Sequence, residues 1–192
     1  MKRLFIATVA LAGILALAPA FAQTASTTTA TKKTTTTSKT TAGKLSTADR
    51  KFFTAASQGG MLEVELGKIA AEKASNPDVK AFGQRMVDDH SKANDQLKQL
   101  AAQKNVTLSD KLSPAKQKQV DKFNKLSGAA FDSSYMSNMV SDHKEDVAEF
   151  KKESKSAKDT DLKAWAGTTL PTLEDHLKMA EDTKAKLHSK KG

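Results

Sequence analysis

From Leu45 onward, apolar residues recur every three or four positions, and no stretch shows the strict alternation of a strand. Four long helices are predicted. The first runs from about Ser46 to Ala74 with the stripe Phe52, Ala55, Ala56, Leu62, Leu66, Ile69 and Ala70. The second, from Pro77 to about Lys104, carries Val79, Gly83, Met86, His90, Ala93, Leu97 and Leu100, alternating steps of four and three like the seam of a bundle helix. The third, from about Ala129 to Ser154, buries Phe131, Tyr135, Met139, His143, Val147 and Phe150. The fourth follows Asp159 or Thr160 with Leu162, Ala166, Thr169, Leu173, His176, Ala180 and Leu187.

Punctuation between the stripes agrees with these spans. Ser46 precedes the first helix as a cap, and Asn76-Pro77 both ends it and starts the second. Residues 105–127 form a long connection containing a short helix that begins at Ser113-Pro114. That connection is long enough to run the length of a bundle, so the second and third long helices are expected to lie parallel. The predicted class is all-α, a ferritin-like four-helix bundle over residues 46–188. Two interruptions stand out. Gly59-Gly60 costs roughly 2 kcal/mol of helix propensity and predicts a kink or a close helix approach. Pro171 predicts a kink and a freed carbonyl one turn earlier.

The segment before the bundle has a different character. Residues 1–22 have a charged start (Lys2, Arg3), an apolar run from Leu4 to Ala18 and the small-x-small site Ala20-Phe21-Ala22, which reads as a secretory signal. Residues 23–45 are nearly all Thr, Ala, Ser and Lys, a solvated tether with nothing to bury. A bacterial periplasmic or envelope location is expected, with no membrane span after signal removal. The chain has no cysteine, so neither a lipid anchor nor a disulfide supports it. Net charge is +9, but removal of Lys2 and Arg3 leaves +7, and four further lysines lie in the tether. The basicity therefore suits loose association with anionic envelope surfaces, and export with few aromatics argues against nucleic acid.

Candidate chemistry centres on a repeated dipeptide. Asp89-His90, Asp142-His143 and Asp175-His176 each fall near mid-helix, and each histidine faces the apolar stripe. Glu63 sits at the edge of the first helix's stripe. Glu63, His90, His143 and His176 thus form a candidate transition-metal set, one group from each helix. Asp89, Asp142 and Asp175 are candidate acceptors for ring N–H groups of neighbouring helices. Counted from the turn between the third and fourth helices, His143 and His176 stand at levels roughly 8 Å apart, which weighs against a shared ion. Residues three before the histidines are Val87, Val140 and Leu173, so the Glu-x-x-His pairs of ferritin-like di-iron sites are missing. The alternative is structural: each ring hydrogen-bonded to Tyr135, Asp132 or a free carbonyl. No nucleophile elbow or phosphate loop is present.

The chain resembles a family of exported bacterial proteins catalogued as domain of unknown function 4142. The resemblance rests on Phe53-Thr54-Ala55-Ala56 with Gly59-Gly60, on Asn76-Pro77-Asp78-Val79 through Asp89-His90, on Ser127-Gly128 with Phe131-Asp132 and Tyr135, and on Leu170-Pro171 with Leu173 and His176. It implies a ferritin-like bundle and supplies no activity. Two function classes follow: first, a non-catalytic envelope protein with a binding or stress-related role toward a partner or surface, and second, a metal-binding or redox protein built on the buried histidines.

Overall fold

A computed structural model describes residues 45–189. The expected signal and nearly all of the tether lie outside the described residues. Five helices follow: α1 (Thr47–Lys73), α2 (Pro77–Gln103), α3 (Pro114–Asn124), α4 (Gly128–Ser156) and α5 (Thr160–Ser189). The third and fourth long helices expected from the sequence are α4 and α5. Among the described residues there is no strand, and no helix is long and apolar enough to cross a membrane. The caps are those the sequence offered. Ser46 Oγ accepts from Asp49 N, Asn76 Oδ1 from Asp78 N and Asp159 Oδ1 from Leu162 N, each satisfying an otherwise orphaned first-turn donor.

Buried carboxylates tie the helix ends together and fix the direction of each helix. Asp132, at the start of α4, accepts from Ser75 N, Ser75 Oγ and Asn76 N in the α1–α2 turn. Asp49, at the start of α1, accepts from Lys158 N and Asp159 N in the α4–α5 turn. Lys104, at the end of α2, pairs with Asp159 and Asp161 at the start of α5. Hence α2 and α4 both begin at one end of the bundle and finish at the other. They run parallel, and the connection carrying α3 travels back along the bundle between them.

Packing is tightest where α1 meets α2. A Cβ added to Gly83 would lie 2.6 Å from Ala70 Cβ, 2.8 Å from Gly67 O and 2.9 Å from Ala71 N, all parts that cannot swing aside. The sequence pointed to Gly59-Gly60 for such an approach, and Gly60 makes one, since its added Cβ would overlap the Asn94 side chain of α2, whereas a Cβ on Gly59 would meet nothing within 4 Å. Gly83→Ala should therefore destabilise by about 1–3 kcal/mol in urea unfolding, overpacking outweighing better helix propensity. Gly59→Ala should be neutral or gain up to about 1 kcal/mol. Equal effects at the two positions would contradict this packing.

The core divides into two apolar halves. One contains Leu62, Leu66, Phe82, Met86, Phe131, Tyr135, Met139 and Ala180. The other contains Phe52, Phe53, Leu97, Phe150, Leu162, Ala166 and Leu173. Along α2, His90 falls between Met86 of the first half and Leu97 of the second. Likewise His143 falls between Met139 and Phe150, and His176 between Leu173 and Ala180. The three histidines thus occupy one polar layer across mid-bundle. On α1 the same interval, between Phe53 and Leu62, holds Ala56, Ser57, Gly59 and Gly60.

Candidate metal centre

The three histidines are buried, with relative exposures of 6%, 0% and 0% for His90, His143 and His176. Their ring centroids lie 5.3 to 5.7 Å apart. One ring nitrogen of each lies within 4.8 Å of the other two. The offset of roughly 8 Å expected between His143 and His176 does not occur. With α4 ending at Ser156 and α5 starting at Thr160 the count leaves an offset of only about 4.5 Å, and side-chain direction narrows it further, since Cα–Cβ bonds tilt toward a helix's own N-terminus. His143 stands nearer the α4–α5 turn by residue count and leans away from it. His176 stands farther and leans back toward it, so the two tilts close the gap.

Hydrogen bonds set two of the three tautomers. His143 Nδ1 lies 3.0 Å from Met139 O, and a carbonyl can only accept, so Nδ1 carries the proton and Nε2 keeps its lone pair. His176 Nε2 lies 2.8 Å from Asp89 Oδ2. Burial alone would raise the Asp89 carboxyl, but hydrogen bonds from Arg85 and His176 hold it below its ordinary value. Asp89 is therefore an ionised acceptor, His176 Nε2 donates to it, and His176 Nδ1 is bare. The remaining nitrogens, His90 Nε2, His143 Nε2 and His176 Nδ1, are buried without a hydrogen-bond partner.

The electrostatics keep these rings neutral. Burial pushes His90 well below its ordinary value, with repulsion from His143 and His176 adding to it. Burial lowers His143 to about 4, despite its bond to Met139. Burial also lowers His176, with Asp89 opposing the shift. Each shift favours the uncharged ring, the protonation state that ligation requires.

Of the four sequence candidates, the structure brings His90, His143 and His176 together and leaves Glu63 outside that cluster. Glu63 follows Leu62 of the first core half on α1. Its side chain is buried with Oε2 unpartnered. Burial raises its pKa well above the ordinary carboxylate value, and repulsion from Asp146 and Asp142 adds to the rise. Of the three aspartates beside the histidines, Asp89 serves a ring on another helix. Asp142 instead accepts from Asn138 Nδ2 at 2.7 Å, and Asp175 is exposed. Of the structural partners considered for the rings, Asp132 binds the α1–α2 turn and Tyr135 Oη is buried without a partner, while a backbone carbonyl does hold His143 and an aspartate other than Asp132 holds His176.

Sequence reasoning gave no role to Asp146 or Trp165. Burial raises Asp146 to about 7, with Asp142 and Glu149 contributing repulsion. Trp165 Nε1 is buried and unpartnered. Trp165, on α5 just before Pro171, is the single tryptophan of the chain and was the available signal.

No curated protein matches the chain. The fold is similar to the crystal structure of a DUF305 fragment from Deinococcus radiodurans, with a TM-score of 0.65 at 11% identity, over 75% of this chain and 99% of that one. At that identity the likeness concerns the fold alone. Residues 34–183 match the family described as Domain of unknown function (DUF4142). With most of its length matched, the chain belongs to the DUF4142 family.

Proposed function

We propose that this bundle is a metal-binding protein whose centre is His90, His143 and His176. One observation carries the reading: one ring nitrogen of each of the three buried histidines lies within 4.8 Å of the other two, and each ring has a buried nitrogen without a hydrogen-bond partner. Each orphaned buried acceptor costs about 1–3 kcal/mol, and a structural role leaves all three unsatisfied. A single ion satisfies them together. The bonds from His143 to Met139 O and from His176 to Asp89 are the outer contacts that orient ligating histidines. On an ion with bonds of about 2.0–2.1 Å, three ligand nitrogens stand about 3.5 Å apart. Side-chain rotations that draw the rings inward by about 1 Å are enough.

Three imidazoles with no carboxylate favour zinc or copper over magnesium, calcium or manganese. The ferritin-like connectivity inferred from the parallel α2 and α4 is part of this proposal, and it brings no di-iron chemistry because the carboxylate ligands are missing. The exported location expected from residues 1–22 is retained. Convergence of unpartnered groups in the interior now favours this reading over non-catalytic surface binding.

The test is direct. Untagged protein, stripped by chelator and titrated with Zn²⁺ or Cu²⁺, should bind one equivalent tightly, with imidazole nitrogens visible in the copper spin-echo spectrum. His143→Ala should lose that equivalent. Binding that survives all three single histidine substitutions would place the ion elsewhere and end the reading.

A further inference from the structure

Beside the histidine layer the helices do not close completely. A chamber of about 20 Å³ is walled by His90, Asn94, Asp146, Trp165, Thr169 and Leu173. A space of about 10–15 Å³ already holds one water, so the chamber takes one water-sized molecule. Small residues keep it open: Ala56, Gly59 and Gly60 on α1 and Ala93 on α2. Its polar wall is incomplete without an occupant. Trp165 Nε1–H is a buried donor without a partner, and His90 of the histidine cluster forms part of the same wall.

The chamber also has an approach from outside. A groove of about 200 Å³ lies between α2 and α5, lined by Asp89, Lys92 and Gln96 on one side and Thr168 and Thr172 on the other. Ala93 and Thr169 line both the groove and the chamber. In this region Thr168 and Thr169 turn their hydroxyls back to Trp165 O, at 3.0 and 2.8 Å, and Pro171 follows within the helix. Those hydroxyls are therefore spent on their own helix and do not fill the passage.

We propose that the chamber is the exogenous-ligand position of the centre: water, hydroxide or a small anion enters from the α2–α5 groove past Ala93 and Thr169 and binds the ion beside His90. This rests on the metal reading above. Three histidines leave an ion such as zinc with an open fourth position, the arrangement of sites that bind and activate small molecules. Trp165 Nε1–H and the Asp146 carboxyl are the groups placed to hold the ligand's outer side. The centre is thereby assigned to small-ligand chemistry rather than to closed structural storage of the ion.

Copper-loaded full-length mature protein provides the test. Pulsed EPR in D₂O should show deuterons of a coordinated water, and added azide, its inner nitrogen in the chamber and its outer end in the α2–α5 groove, should displace them and bring a new charge-transfer band. Ala93→Leu should keep one equivalent of copper but lose both signals. Trp165→Phe, which removes the N–H and preserves an aromatic wall, should keep copper and weaken azide binding about fivefold, the worth of one hydrogen bond. Copper bound at one equivalent with neither a water signal nor an azide response overturns this inference and leaves the metal reading intact. So does an azide response unchanged in both variants. Failure to bind copper at all removes both.

Discussion

At one hundred times its dissociation constant, Zn²⁺ or Cu²⁺ should raise the stability of the protein by about 2.7 kcal/mol, or roughly 8 °C in melting temperature for a domain of this size. The gain follows from linkage alone, since the unfolded chain does not hold three imidazoles together. His90→Ala, His143→Ala and His176→Ala should each abolish it. Asp89→Asn should weaken binding about 10–100-fold without abolishing it, because Asp89 orients His176 and does not reach the ion's position. The metal-free protein offers a sharper contrast. His90→Leu replaces a buried ring whose Nε2 is unpartnered by an apolar side chain. It should be nearly neutral or stabilising without metal, because it removes an orphaned acceptor. A structural histidine predicts a loss of about 1–3 kcal/mol instead. A melt indifferent to every metal, with His90→Leu clearly destabilised, would rule out the metal reading.

Local signals in the sequence were sufficient for the helices and their caps. Ser46, Asn76-Pro77 and Asp159 act within one turn of themselves, and one-turn physics is written in adjacent residues. The Asp-His repeat located all three histidines of the cluster, because a polar residue on an apolar stripe must face the interior. The layer they share was harder to read. It depends on the tilt of each Cβ relative to helix direction, which a count of residues from the turn ignores. Glu63 was legible as an acid at the edge of its helix's stripe, but not as a buried one near Asp146 and Asp142, because those neighbours arrive on α4. The same limit hid the roles of Asp49 and Asp132. Each accepts backbone donors from a turn far away in sequence, and nothing beside either residue names its partner. Gly83 needed its neighbours too: only the facing Gly67 and Ala70 make its missing Cβ necessary.

Acidification should expose two opposing sets of buried groups in the metal-free protein. His143 titrates near 4 in the folded state against an ordinary 6.5. The unfolded chain therefore takes up that proton first, so stability is fully present above pH 6.5 and is lost as pH falls toward 4. At 1.36 kcal/mol per unit this amounts to about 3 kcal/mol for His143, and His90 and His176 act in the same direction. Asp146 works the other way. Its folded-state value is raised to about 7, so the folded protein holds a proton that the unfolded chain has released, and stability rises as pH falls from 7 toward 4. Glu63 adds to that trend. Asp146→Asn mimics the protonated form at every pH. In metal-free protein at pH 8 it should be more stable than the unsubstituted chain by about 2–4 kcal/mol, the linkage energy of a shift of that size. It should also lose stability more steeply between pH 7 and 4.5, because the histidine contribution is no longer offset. Urea unfolding at pH 8, 6 and 4.5 measures both effects. An Asp146→Asn variant that is no more stable at pH 8 would mean the carboxylate is solvated or paired, and the chamber wall would then have to be redrawn without it.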